Sequence, residues 1–367
     1  METERQKSKF DIKVLVILLI TIIVLGYFST YLITDAFFKQ GVQFYNKSQY
    51  DKAKAKFQLA LNFNRRDPQV YAYIGKIALG IPKPGNQIFY PDADYVSAID
   101  AFEKARYYNL QKKNPELYSE LLLDLGFSYW INGNKKAAHP ILLEYIALKP
   151  TRSFTARYLM GLDYYRELNK PKEALELLQP LPDQAVLNHH RAELYNVYLL
   201  LANLSWYFNN LENAKKYALL SIANAPQDKN TGETLTIANM RLALVTASEG
   251  DIKGALKYYS SAIENAKIAT VYSKEQSGNC SLAKLYFHAK QYTRAIEIAS
   301  AETKTNRSDY YYSRCLEVLA LGNQALNRAV ESKRYMEEYL KFTEALESPD
   351  ILILKHREDF NKYLLQL

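Results

Sequence analysis

The chain has 367 residues, 48% hydrophobic, with 31 tyrosines among an aromatic share of 13%. Thirteen glycines and 12 prolines are too few for an all-β protein that turns every ten residues. The net charge of +8 is spread over 47 cations and 39 anions with no dense basic tract, which argues against a nucleic-acid partner.

Residues 1–13 form a polar N-terminal tail. Residues 14–33 read VLVILLITIIVLGYFSTYLI, 20 residues without a charge. At about 1.5 Å per residue this helix spans about 30 Å, the thickness of a bilayer core. Tyr27, Phe28 and Tyr31 sit near its far end, as interfacial aromatics do. The run exceeds the usual core of a secretory signal, and Thr34 and Ala36 make a poor cleavage pair, so an uncleaved signal anchor is expected. Arg5, Lys7, Lys9 and Lys13 precede it, whereas only Lys39 and Lys47 follow closely. This asymmetry predicts a cytoplasmic N-terminus and an extracytoplasmic C-terminal region.

Beyond Ile33 the chain repeats itself. A Gly or Ala in one helix is followed, after a short polar turn, by an Ala in the next. Gly41/Ala53, Gly126/Ala138, Ala202/Ala214, Ala243/Ala255 and Ala283/Ala295 share a gap of 12; Gly161 and Ala174 lie 13 apart. Gly75 and Ala98 are separated by an insertion, residues 79–97, whose prolines and glycines forbid a helix. Two carboxylates there, Asp92 and Asp94, are too few for a cation site. Small residues at matched positions let two antiparallel helices approach closely. Bulky residues follow four positions after the second small one: Phe57, Phe102, Leu142, Leu178 and Tyr259. Past Ala295 the pattern fades, although 309–327 and 329–346 still read as a helix pair. Residues 350–367 make an amphipathic helix suited to cover the apolar end of a stack.

These positions are where the chain resembles the tetratricopeptide repeat family, with Gly41, Phe44, Ala53, Phe57 and Ala60 matching best. The resemblance implies an all-α protein: the membrane helix, then a right-handed α-solenoid of about seven to eight helix hairpins over 34–349, closed by the 350–367 cap. It further implies a concave groove lined by the first helix of each hairpin. Counting from each small residue places Tyr45, Trp130, Tyr165, Trp206 and Phe287 four residues on, Lys76, Phe127, Asn203 and Lys284 one residue on, and Tyr158 three residues back. Such a surface suits a helix or extended peptide of a partner protein, held by large anchors. Internal packing between repeats is the competing use of the same rings.

Chemistry is not expected. No nucleophile motif, phosphate loop or metal-binding cluster occurs, so neither an enzyme, a cofactor nor a small-molecule substrate is expected. His189 and His190 adjoin and diverge by about 100° on a helix, which unsuits them for one metal. Cys280 and Cys315 lie 35 residues apart, close to one repeat period; they suit two small buried side chains or a disulfide between neighbouring helices. The expected function is a membrane-anchored scaffold for protein partners, in assembly of a bacterial envelope or secretion-type complex. The alternative is a cytoplasm-facing accessory subunit of a membrane enzyme or transport complex.

Overall fold

In a computed structural model the described residues are 2–80, 93–149, 153–188, 194–225, 231–267, 278–305, 309–346, 349 and 351–366. His189, His190 and Asp92 lie outside them. All regular structure among the described residues is helical. The chain divides into two compact units, Met1–Ala156 and Arg157–Leu367, a boundary that the repeat pattern gives no hint of.

Unit 1 opens with α1 (Glu2–Asn46), one helix that runs through the apolar segment and on into the first hairpin. The apolar part of α1, residues 14–33, is exposed along its whole length. There follow α2 (Tyr50–Phe63), α3 (Pro68–Leu79), α4 (Tyr95–Tyr107), the short α5 (Leu110–Lys113), α6 (Pro115–Ile131) and α7 (Lys135–Leu148). Polar caps start several of them. Asp67, Asp94, Asn114 and Asn134 each accept a hydrogen bond from a first-turn backbone N–H at 3.0–3.2 Å. Asp94, an acid of the insertion, thus spends its carboxylate on a helix start. Its own N–H donates to the Ala78 carbonyl at 2.9 Å, which ties the far end of the insertion back to α3.

The hairpins close on glycine. A Cβ on Gly41 would lie 2.5 Å from the Phe57 ring, and one on Gly75 would strike Phe102. On Gly126 it would lie 2.5 Å from Leu142. The side chain nearest each glycine is therefore the bulky residue four positions past the facing alanine. Gly75 against Phe102 pairs α3 with α4 in spite of the insertion.

Unit 2 contains most of α8 (Phe154–Arg166), then α9 (Pro171–Leu178), α10 (Leu181–Asn188), α11 (Leu194–Tyr207), α12 (Leu211–Asn224), α13 (Gly232–Ser248), α14 (Ile252–Ala266), α15 (Asn279–His288), α16 (Tyr292–Thr305), α17 (Asp309–Ala325), α18 (Ala329–Glu344) and α19 (Ile351–Leu364). Gly161 meets Leu178 as in unit 1. The last hairpin, α17/α18, obeys the same rule through Ala320 and Ser332, 12 residues apart and both fully buried; the Ser332 hydroxyl donates to the Ala320 carbonyl at 3.0 Å. The repeat therefore extends past Ala295, with serine in place of the second alanine. Left-handed residues turn the hairpins at Ser48, Gly133, Asn169, Asn209, Gly250, Lys290 and Asn327, with φ between 48° and 90°.

Cys280 on α15 and Cys315 on α17 form a disulfide, with Cα atoms 4.9 Å apart. It joins the first helices of two successive hairpins. Helix α19 packs Ile353 and Phe360 against Tyr312, Leu316, Met336 and Tyr339, covering the apolar end of α17/α18.

Candidate functional site

In unit 1 the sequence-derived groove residues go to different places. Tyr45 packs edge-on to Tyr50 and Tyr73, at 5.5 and 5.2 Å, inside the first hairpin cluster. Phe127 is 3% exposed, edge-on to Tyr95 at 6.1 Å, and shapes the surface from beneath. Trp130 is half-buried, with the Lys135 ammonium 5.3 Å from its ring centre. Lys76 on α3 pairs with Glu120 on α6 beside Asp124. These three, with Glu116, Leu123 and Lys149, line a cavity of about 250 Å³. Burial, with Glu120 adding and Lys76 opposing, pushes the Asp124 carboxyl up to about 6. Burial alone would lower Lys76, but Asp124 and Glu120 outweigh it, and the ammonium titrates above its ordinary value.

In unit 2, Tyr158 and Tyr165 lie half-buried on α8. The other four are connected. Asn203 on α11 is buried, and its side-chain oxygen accepts from Arg241 Nε at 3.0 Å and Nη2 at 2.7 Å. The same guanidinium lies 5.1 Å from the centre of the Trp206 ring. Trp206 is edge-on to His288 at 4.8 Å, and His288 to Phe287 at 5.5 Å. Lys284 on α15 pairs with Glu317 on α17 at 2.8 Å, and His356 Nε2 of α19 lies 3.0 Å from the same carboxylate. Trp206, Lys284, Phe287, His288, Glu317 and His356 share a cavity of about 390 Å³, which Leu321, Leu352 and Lys355 also line.

Electrostatics follow from this enclosure. Burial pushes the Glu317 carboxyl up, yet His356 and Lys284 together hold it well below the usual carboxylate range. Burial, reinforced by Lys284, drives His288 down to about 3, so its ring is neutral at physiological pH. The cavity thus sets a Lys284–Glu317 ion pair beside a neutral imidazole and an indole. It contains no nucleophile–base arrangement.

Sequence reasoning missed Arg241, Glu317, Leu321 and, on the expected helix α19, Leu352, Lys355 and His356. Glu317 lies three residues before Ala320, and Leu321 one after it, the same offsets that select Tyr158 and Lys284. Recognising Ser332 as the second small residue would have revealed both. Helix α19, expected only to cover the end of the stack, also turns Leu352, Lys355 and His356 into the inner cavity, and Lys355 Nζ donates to the Tyr207 carbonyl at 3.1 Å.

No family model and no curated protein matches the chain. Solved structures similar to it include PilF of Pseudomonas aeruginosa, 17% identical over 68% of this chain and 97% of that one, with a TM-score of 0.44. A tetratricopeptide repeat protein from Parabacteroides merdae is 16% identical, covering 73% of this chain and 92% of its own, at a TM-score of 0.45. The tetratricopeptide domain of P58(IPK) is 14% identical, covering 91% and 89%, at 0.30. The chain's own hairpins make the assignment of fold: Gly41, Gly75, Gly126 and Gly161 each sit under the bulky residue four positions past the alanine of the second helix, and Ala320 and Ser332 meet in the last hairpin. The chain is an all-α protein of tetratricopeptide-type helix hairpins behind one long apolar N-terminal helix.

Proposed function

We propose that this chain is a membrane-anchored scaffold that holds partner proteins at a bilayer, in assembly of a bacterial envelope or secretion-type complex. The continuity of α1 carries the reading. A run without charge, exposed along its whole length, is a hazard in water and stable in lipid, where its backbone bonds are met internally. Partner segments dock on the first-helix faces, through Tyr45, Lys76 and Trp130 in unit 1 and through Tyr158, Tyr165, Trp206, Lys284 and Phe287 in unit 2, whereas Phe127 and Asn203 are buried and support these faces without meeting a partner. Two independent features favour an extracytoplasmic location for the repeats. One is the cationic excess before the apolar run. The other is the Cys280–Cys315 disulfide, a bond that persists in oxidising compartments.

Replacing Trp206 with Ala should reduce partner capture at least tenfold while helical content, read by circular dichroism, stays unchanged; loss of the fold instead would assign the ring to the core. A reporter fused after Leu367 should be active only outside the cytoplasm. Activity confined to the cytoplasm would favour the accessory-subunit alternative.

A further inference from the structure

In unit 1 the second helix of each of the first two hairpins returns toward the apolar segment of α1. Phe63, at the end of α2, stacks on Phe37 with ring centres 6.0 Å apart. Phe37 stands four residues beyond Ile33, about 6 Å of helix rise. Thr34, the first residue past the apolar run, is already buried. The turn that follows α2 thus lies level with the end of the apolar run. Helix α4 ends beside it. Tyr108 stacks on Tyr71 at 5.7 Å, and the Tyr71 hydroxyl donates to the Arg65 carbonyl at 3.0 Å.

This rim exposes rings and cations together. Phe63 is 45% and Tyr107 80% exposed, and Arg65, Arg66 and Lys112 are exposed as well. The neighbouring carboxylate, Asp67, is buried and already matched by Lys113 at 2.9 Å. We propose that this rim docks on the anionic headgroups of the bilayer that α1 crosses, so that the first two hairpins lie against the lipid surface instead of standing clear of it. The proposal rests on the reading of α1 as a membrane anchor. Two kinds of attraction combine at such a site. Cations within a Debye length of an anionic leaflet are drawn to it, and aromatic rings settle at the headgroup level.

The test is hydrogen–deuterium exchange on the full chain in nanodiscs of phosphatidylcholine, with and without 30% phosphatidylglycerol. The anionic lipid should slow exchange of the backbone amides at 62–66 and 107–113 about fivefold. That protection should vanish in 0.5 M NaCl and in the triple variant Arg65→Ala/Arg66→Ala/Lys112→Ala, whose α6 and α7 amides report that unit 1 remains folded. Equal exchange in both lipids, with the chain resisting carbonate extraction, overturns the docking proposal and leaves the anchor intact. Release of the chain by carbonate sinks the anchor reading itself.

Discussion

Gly41, Gly75, Gly126 and Gly161 owe their identity to the bulky side chain that each one faces. The Phe57 ring is fully buried against Gly41 and rigid, so it has no flexible tip to withdraw. Gly41→Ala should therefore destabilise unit 1 by about 1–3 kcal/mol, the usual cost of overpacking a filled core, as read by denaturant unfolding. This level of structure was plain in the sequence because small residues a dozen apart have one common physical use. Ser332 escaped notice because a serine in a helix ordinarily signals solvent or a cap; here its hydroxyl is satisfied by the Ala320 carbonyl, and the residue serves as a small one. The buried charges were not legible at all. Lys284 was placed correctly on its helix, but nothing local announces that Glu317 and His356, from helices far along the chain, converge on it.

Among elements, α15 and α17 are joined twice, by Cys280–Cys315 and by Lys284–Glu317. Both links lie between the first helices of successive hairpins. Replacing both cysteines with alanine should lower the stability of unit 2 by about 2–4 kcal/mol, since the bond removes freedom from the unfolded chain. Thermal unfolding of wild type with and without reductant, beside the Cys280→Ala/Cys315→Ala variant, checks this; identical midpoints in all three would refute it. Helix α19 serves two neighbours for a related reason. Its Ile353 and Phe360 face one way, onto α17 and α18, while Leu352, Lys355 and His356 face the cavity. An amphipathic pattern in the sequence reveals the first face; the second became visible only when the partners across the cavity were known.

At the scale of the molecule, the two units should answer acid in opposite ways. In unit 2, His288 titrates near 3 when folded and near 6.5 when unfolded. The unfolded state then binds more protons, so its contribution to stability is full above pH 6.5 and is lost as pH falls. In unit 1, Asp124 titrates near 6 when folded and near 3.8 when unfolded. There the folded state binds more protons, and stability grows as pH drops from 6 toward 4. Between pH 7 and 5, exchange protection should decline in α15 and rise in α6, each by up to about 1 kcal/mol after allowing for partial solvent screening. His288→Gln and Asp124→Asn should flatten the respective trends.

A different property follows from α1, whose 45 residues pass from the apolar run into the first hairpin with no break. A flexible tether would let the repeats wander and tumble above their attachment point. On the anchor reading proposed above, a stiff shaft does not: a sideways load on the first hairpin becomes tilt of the segment in the bilayer, and rotation of one end becomes rotation of the other. Inserting a short glycine–serine stretch after Ile33 would uncouple the two, leaving the chain anchored but without leverage.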